Sequence, residues 1–321
     1  MDFVQVSIKG ELFDRPSARV DGHTIFVPPG WLRIATVYDE DWQPFELDNP
    51  TAIVSGLKAG LLKSDLFTFG QKLPQTQPKH AYPFVWDNIA AIPLTTFAEW
   101  WEKKISQETR RNVRLATKRG LALREVDFND ELAHGIKQIY DETPYRNGRE
   151  FWHYGKAFEA VKRENATYLD KSQFIGAYFG SELVGFLKMV QVNNFASIMQ
   201  IIAKNKHQER RPMNALIAKA VELCCDRELS HLVYCKYTYG KNEQSSLTEF
   251  KRRSGFEKIL VPKYYVPVTV KGRIAMGLRL HLGLKEALPK WLTEHLIRLR
   301  AAYYQRLASF RTPRENCVRS L

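Results

Sequence analysis

The sequence predicts a mixed α/β (α+β) protein: a central mixed sheet flanked by helices, with a smaller N-terminal α/β unit before it and a C-terminal helix after it. Three observations lead there. Between Phe195 and Phe256 an apolar run of strand length, a basic turn, an amphipathic helix, a second strand-like run and a short helix follow one another, the order of a crossover unit joining parallel strands. Phe174 to Phe179 and Leu183 to Val192 flank Gly180-Ser181-Glu182, the pattern of a hairpin. From Thr96 the spacing turns helical and closes on Gly120, a residue that ends helices readily.

Length and composition set the scale. A chain of 321 residues with 44% apolar residues has ample core for two domains. The divisions expected are 1–95, 96–270 and 271–321. A formal net charge of +13 favours polyanionic partners, among them nucleotides, RNA and anionic membrane surfaces. Four cysteines, Cys224, Cys225, Cys235 and Cys317, show neither metal-binding spacing nor the density of a disulfide scaffold, so no metal and a reducing cytoplasm are expected. The opening MDFVQVSIKG has no export pattern, and no apolar run approaches the ~18 residues of a membrane span.

In chain order, Arg33 to Tyr38 reads as a strand, Thr51 to Lys63 as partly helical, and Ser64 to Gln71 as another strand. Leu73 to Pro83 is an exposed connection rich in Pro, Gln and Lys, and Asp87-Asn88 is read as a turn before the strand IAAIPL. The helical stretch that follows carries Arg110, Arg111, Arg114, Lys118 and Arg119 on neighbouring turns. A solvated face is the plain reading of such a run; phosphate or RNA binding is the functional one. Leu121 to Phe128 is a strand, Asn129 or Asp130 caps the next helix, and Phe151 to Glu164 is a second helix.

The crossover unit is the most informative part. Ile198, Met199, Ile201 and Ile202 suit a strand covered on both faces. Pro212 suits the first turn of a helix whose apolar face is Met213, Leu216, Ile217, Ala220, Val221 and Cys224. His231 to Tyr239 is the next strand, in which alternation would set Tyr237 and Tyr239 on one face, and Glu257 to Val268 is the last. Cys235 is expected to be a buried small hydrophobe.

This order, with Arg210-Arg211-Pro212-Met213-Asn214-Ala215 in the turn and Gly255-Phe256 closing the later helix, resembles the GNAT acyltransferases. The Trp100-Trp101 pair ahead of Arg110, Arg111 and Arg114 resembles the FemAB-like group of that superfamily, and the likeness covers more than half of the chain. It implies a GNAT-like sheet over about residues 121 to 270, with residues 1–95 an incomplete counterpart. It further implies acyl-CoA as donor, or aminoacyl-tRNA as in some family members, held by Ile201, Ile202, Ala203, Arg210, Arg211, Met213, Asn214 and Ala215. Met213 stands where the family's turn has glycine and Lys251 where many members have a tyrosine acid; both departures bear on acetyl-CoA as the donor.

The remaining site expectations join the residues to that resemblance, which implies that the connection between the two helices borders the acceptor cleft. The stretch YDETPYRNGREFWHYGK joins two helices and mixes acids, bases and aromatics. Glu142 is the expected base for an amine acceptor, Arg146 and Arg149 would hold an acceptor's anionic group, and His153 or Tyr154 would orient it. Tyr237 or Tyr239 would protonate the leaving group. The alternative to N-acyl transfer is a silent module binding RNA or an anionic membrane, to which the C-terminal helix with Leu292, His295, Leu296, Leu299 and Tyr303 could also contribute. No helix-turn-helix pattern is present, so DNA is not an expected partner.

Overall fold

The computed structural model describes residues 2–8, 11–44, 46–146, 148–240 and 245–283. The expected C-terminal helix around Leu292 to Tyr303, and Cys317, lie outside the described residues. Two compact units are present, residues 1–269 and 270–321. The second contributes one short helix and a single 3₁₀ turn among its described residues.

In chain order the first unit begins with β1 (Asp2–Ile8), β2 (Glu11–Val20), β3 (His23–Phe26) and β4 (Ile34–Val37), then α1 (Pro50–Lys58), β5 (Leu66–Gly70) and β6 (Phe84–Pro93). Asn49 caps α1 by accepting from the Thr51 amide, and Pro50 opens it. Asp87-Asn88 is not a turn. Both residues lie inside β6, where Asn88 opposes Leu260 and its side chain accepts from the Thr238 amide at 2.7 Å.

The helical stretch is interrupted. α2 (Phe97–Glu99) runs into a π-helical turn (Trp100–Lys104), and α3 (Gln107–Lys118) restarts with Ser106 as its cap. Arg110 closes the break, donating to the carbonyls of Trp101, Glu102 and Ile105. β7 (Leu121–Val126) and α4 (Asp130–Tyr140), capped by Asn129, follow as expected. The next helix is shorter than its sequence suggests. A small hairpin, β8 (Tyr145–Arg146) with β9 (Arg149–Glu150), precedes it, and turn residues that include Gly155 at φ 74° occupy its expected first turns, so α5 is only Phe158–Asn165. Then come β10 (Ser172–Phe179), β11 (Glu182–Val192), β12 (Phe195–Ala203), α6 (Pro212–Asp226), β13 (His231–Lys236), α7 (Ser246–Arg253), β14 (Glu257–Pro267) and, in the second unit, α8 (Val270–Gly277).

Twelve of these strands form one sheet in the order β1-β2-β3-β4-β5-β14-β6-β13-β12-β11-β10-β7. Read inward from either edge, it repeats one pattern. Three antiparallel neighbours lead to a parallel pair joined by a helix, β4-α1-β5 on one side and β12-α6-β13 on the other, and an antiparallel strand completes each half. The completing strands are exchanged: β6, which follows β5 in the chain, pairs with β13, while β14, which follows β13, pairs with β5. β6 and β14 also pair with each other over eight residues. On one sheet face α3 and α6 cover a core containing Ile198, Leu216, Val221 and Leu232. On the other face α4 and α5 cover Phe174, Leu183 and Phe186.

Candidate active site

An irregularity in each of two neighbouring strands creates the site. Lys188 of β11 opposes Gln200 while the adjacent Met189 opposes Ile198, so Met199 is an extra residue, a β-bulge. Ile198 and Ile201 therefore pack toward α6, whereas Met199 and Gln200, consecutive in sequence, both serve the opposite side: Met199 joins the Phe195–Val233 cluster, and Gln200 accepts from Tyr140 at 2.8 Å.

On its other edge β12 pairs with β13 only at Phe195, Ala196 and Ser197. β13 then bends away. Its register against β6 slips between Val233 and Lys236, and Cys235 adopts φ 49°, a conformation that costs a residue with a side chain about 1–2 kcal/mol. Lys251 of α7 holds that bend. Its side chain is fully buried, and its ammonium donates to the carbonyls of Tyr234 (2.9 Å) and Lys236 (2.6 Å), the residues either side of Cys235. Burial pushes its pKa down to about 8. The parting strands leave a V-shaped opening beside Ile198 to Ala203.

The N-terminus of α6 stands at the end of β12. Arg211 occupies the cap position at φ 58° and offers no side-chain acceptor to the first-turn amides, so the positive end of the helix faces outward. The turn before it is fastened to the end of α3: Arg119 donates to the Glu209 carbonyl, and Arg210 donates to the Arg119 carbonyl at 2.6 Å while lying 3.6 Å from the Phe179 ring centroid. Arg211 is exposed, Met213 and Asn214 are half-buried, and Ala215 is buried.

The residues between α4 and α5 are placed differently from one another. The Glu142 carboxylate accepts from the amides of Asn205 (2.6 Å) and Lys206 (2.9 Å) and pairs with Arg146 at 3.2 Å. It thus caps the 3₁₀ turn after β12. Arg146 is spent similarly, donating to the carbonyls of Ala203 and Ile139 above the Phe151 ring. His153 is 8% exposed and stacks on Tyr140 and Trp152. Desolvation first, then Lys156 and Arg146, lower its pKa to about 3, so the ring is neutral and accepts through Nε2 from Gln200. Arg149 and Tyr154 are exposed.

Tyr237 and Tyr239 do not share a face. The strand ends at Lys236, after which alternation no longer applies: Tyr237 packs into the α6-side core, and Tyr239 lines a cavity. Burial raises the Tyr239 pKa to about 12, which keeps the phenol protonated at neutral pH. Cys235, expected to be buried, is exposed on the same cavity wall.

That cavity, of about 510 Å³, begins at the vertex of the V, where Ser197 and Val233 form the last β12–β13 pair. Its floor is apolar, with Trp42, Leu73, Phe195, Val233 and Val261, and its charged residues are Asp41, Lys72, Asp87, Lys236 and Lys263. Sequence reasoning missed the share supplied by residues 41–89 and 261–263. Only the exchange of β6 and β14 brings those segments beside β12 and β13, and nothing in the local patterns announces it. Glu40, next to Asp41, accepts from the Gly70 amide at 2.7 Å, and burial raises its pKa to about 7. Among the described residues no cluster of His, Cys, Asp or Glu is placed to hold a metal, and no helix is long and apolar enough to cross a membrane.

No protein family and no curated protein matches the sequence. Solved structures do match. The C-terminal domain of an Agrobacterium fabrum protein described as a lysylphosphatidylglycerol synthetase aligns with a TM-score of 0.55 at 12% identity, over 82% of this chain and 87% of that one. The L-PGS structure from Bacillus licheniformis aligns at 0.52 and 15% identity, over 80% and 85%. FemX aligns at 0.49 and 11% identity, over 86% and 90%, too distant to add to the argument. The fold is the GNAT-like one that the order of elements resembles, in an arrangement shared with these synthetase domains. Identities this low speak to the fold alone.

Proposed function

We propose that the protein is an N-acyltransferase that moves an acyl or aminoacyl group from acyl-CoA or aminoacyl-tRNA to an amine. The observation that carries this reading is the parting of β12 and β13 after three paired residues, with an outward-facing helix N-terminus at one end of the gap and a cavity at its vertex. Phosphates of the donor meet the first turn of α6 and Arg211. The acyl carbonyl lies in the V, where the unpaired edge of β12 offers main-chain amides to the oxygen that becomes negative during attack. Holding both partners there supplies most of the advantage, since amines attack activated esters readily once positioned.

Tyr239, protonated at neutral pH and on the cavity wall, is the donor of a proton to the leaving thiolate or ribose oxygen. Asp41, exposed at the cavity rim, is better disposed than Glu142 to take the ammonium proton. Glu142 already serves two amides and Arg146, and its part is to fix the turn that leads to α6. The synthetase neighbours make, by name, an aminoacylated lipid, which accords with aminoacyl transfer.

Titration of the purified protein with a series of acyl-CoAs and with charged tRNA tests the proposal. Saturable binding of one donor is expected; absence of binding by both classes refutes it. A second reading rests on α3, whose Arg111, Arg114 and Lys118 form an exposed cationic face. In that reading the chain is a silent module for RNA or anionic membrane. Salt-sensitive binding of RNA or vesicles without transfer to any amine would favour it.

A further inference from the structure

We propose that the cavity at the vertex of the V binds an acceptor carrying a carboxylate as well as an amine: a free amino acid or another small zwitterionic amine. The proposal rests on the transferase reading for the word acceptor, but the binding site itself stands on the cavity's chemistry.

Three features of the cavity point the same way. The first is position. Phe195, Ser197 and Val233 face the cavity, while their neighbours Ala196 and Leu232 face α6; the cavity therefore meets the V from the sheet face opposite α6, and a ligand there reaches the gap without crossing the donor's phosphate end. The second is size. About 510 Å³ lies within the range of small-molecule sites, roughly 300–1,000 Å³, and suits a compact molecule rather than a chain.

The third is charge. Cations and anions stand on the same walls above an apolar floor. Lys236 is matched by Asp87 at 3.1 Å, and Lys72 donates to the Gln43 carbonyl at 2.5 Å; burial lowers its pKa, against which Glu40, Asp41 and Glu46 act. Lys263 faces the cavity from β14. The reacting carboxyl of a donor's acyl or aminoacyl group is esterified and offers no anion to these lysines. A plain amine would use Asp41 alone and leave Lys263 facing an uncharged group. A zwitterion satisfies both, its ammonium toward Asp41 and its carboxylate toward Lys263, with its side chain on Trp42 and Phe195.

Matched ligand pairs test this on the wild-type chain. Phenylalanine against phenethylamine, leucine against isopentylamine and lysine against cadaverine differ only in the carboxylate, and calorimetry reads each Kd. At least one amino acid should bind 10-fold or more tighter than its amine, and Lys263→Met should erase that preference while leaving the amine's Kd within 2-fold. Equal binding within each pair, no binding by any amino acid, or a preference that survives Lys263→Met overturns the inference. The donor titration is read separately. Donor binding without amino-acid binding rejects this inference and leaves the transferase reading standing, whereas amino-acid binding without donor binding does the reverse.

Discussion

Lys251→Met isolates the buried ammonium that holds the bend in β13. The substitution keeps all but the last atom of the side chain's length and removes its charge and two hydrogen bonds. Orphaned carbonyls of Tyr234 and Lys236 cost about 1–3 kcal/mol each. Against that, the wild-type protein carries a desolvated charge. Its pKa falls from 10.5 to about 8, and 2.5 units at 1.36 kcal/mol each is about 3 kcal/mol. At pH 7 the two terms largely offset, so stability there is a poor test.

The pH dependence separates them. Between about pH 8 and 10.5 the unfolded chain holds the Lys251 proton and the folded chain does not, so wild-type stability rises with pH in that window from this group. The variant lacks the rise. Lys188, lowered to about 7 by burial, titrates in both proteins and cancels in the difference. Chemical denaturation of both proteins at pH 7 and pH 10 should show the wild type gaining about 2–3 kcal/mol over the variant. A difference that stays constant within 1 kcal/mol would mean that the ammonium is hydrated, and the account of how the two strands are kept apart would fail.

Gly255→Ala should lose about 2–4 kcal/mol in urea denaturation: Gly255 sits at φ 83°, and an added Cβ would come within 2.9 Å of Trp100 Nε1, combining a left-handed penalty with overpacking. A loss below 1 kcal/mol would show that the Trp100 ring gives way freely. Residues 96–269 expressed alone should fail to give a cooperative unfolding transition, because β13 loses β6 and β14 loses both of its partners. Glu142→Ala should cost about 2–3 kcal/mol in stability through the lost cap and the unpaired Arg146, whereas Tyr239→Phe should leave stability within about 0.5 kcal/mol and lower turnover at least 10-fold with the donor Kd unchanged.

The second half of the fold was legible because its signals are local. Gly180-Ser181 fixes a hairpin, Pro212 opens a helix, and Ser254-Gly255-Phe256 ends one. β1 and β2 went unread since β1 is the edge strand and β2 its neighbour, where residues such as Leu12 and Phe3 are exposed and Asp14 and Arg15 interrupt any apolar alternation. Asp87-Asn88 carries turn chemistry, yet tertiary partners decide otherwise: Lys236 pairs with one and Thr238 donates to the other. In the site, the helix N-terminus at the Arg-Arg-Pro bend follows from the crossover order. The roles of Glu142 and Arg146 do not, because residue type says what a side chain can bind and only packing says what already occupies it.

The exchange of β6 and β14 has a mechanical consequence. Each half of the sheet is finished by a strand that belongs to the other, and the two finishing strands are laced to each other along eight residues. The halves therefore cannot swing apart about a hinge as two lobes closing over a ligand would. A protease cut in the Leu73 to Pro83 connection should leave the pieces interlocked, and whatever opens the cavity to its ligand has to be a shift of the segment bearing Tyr239 over an unmoving floor.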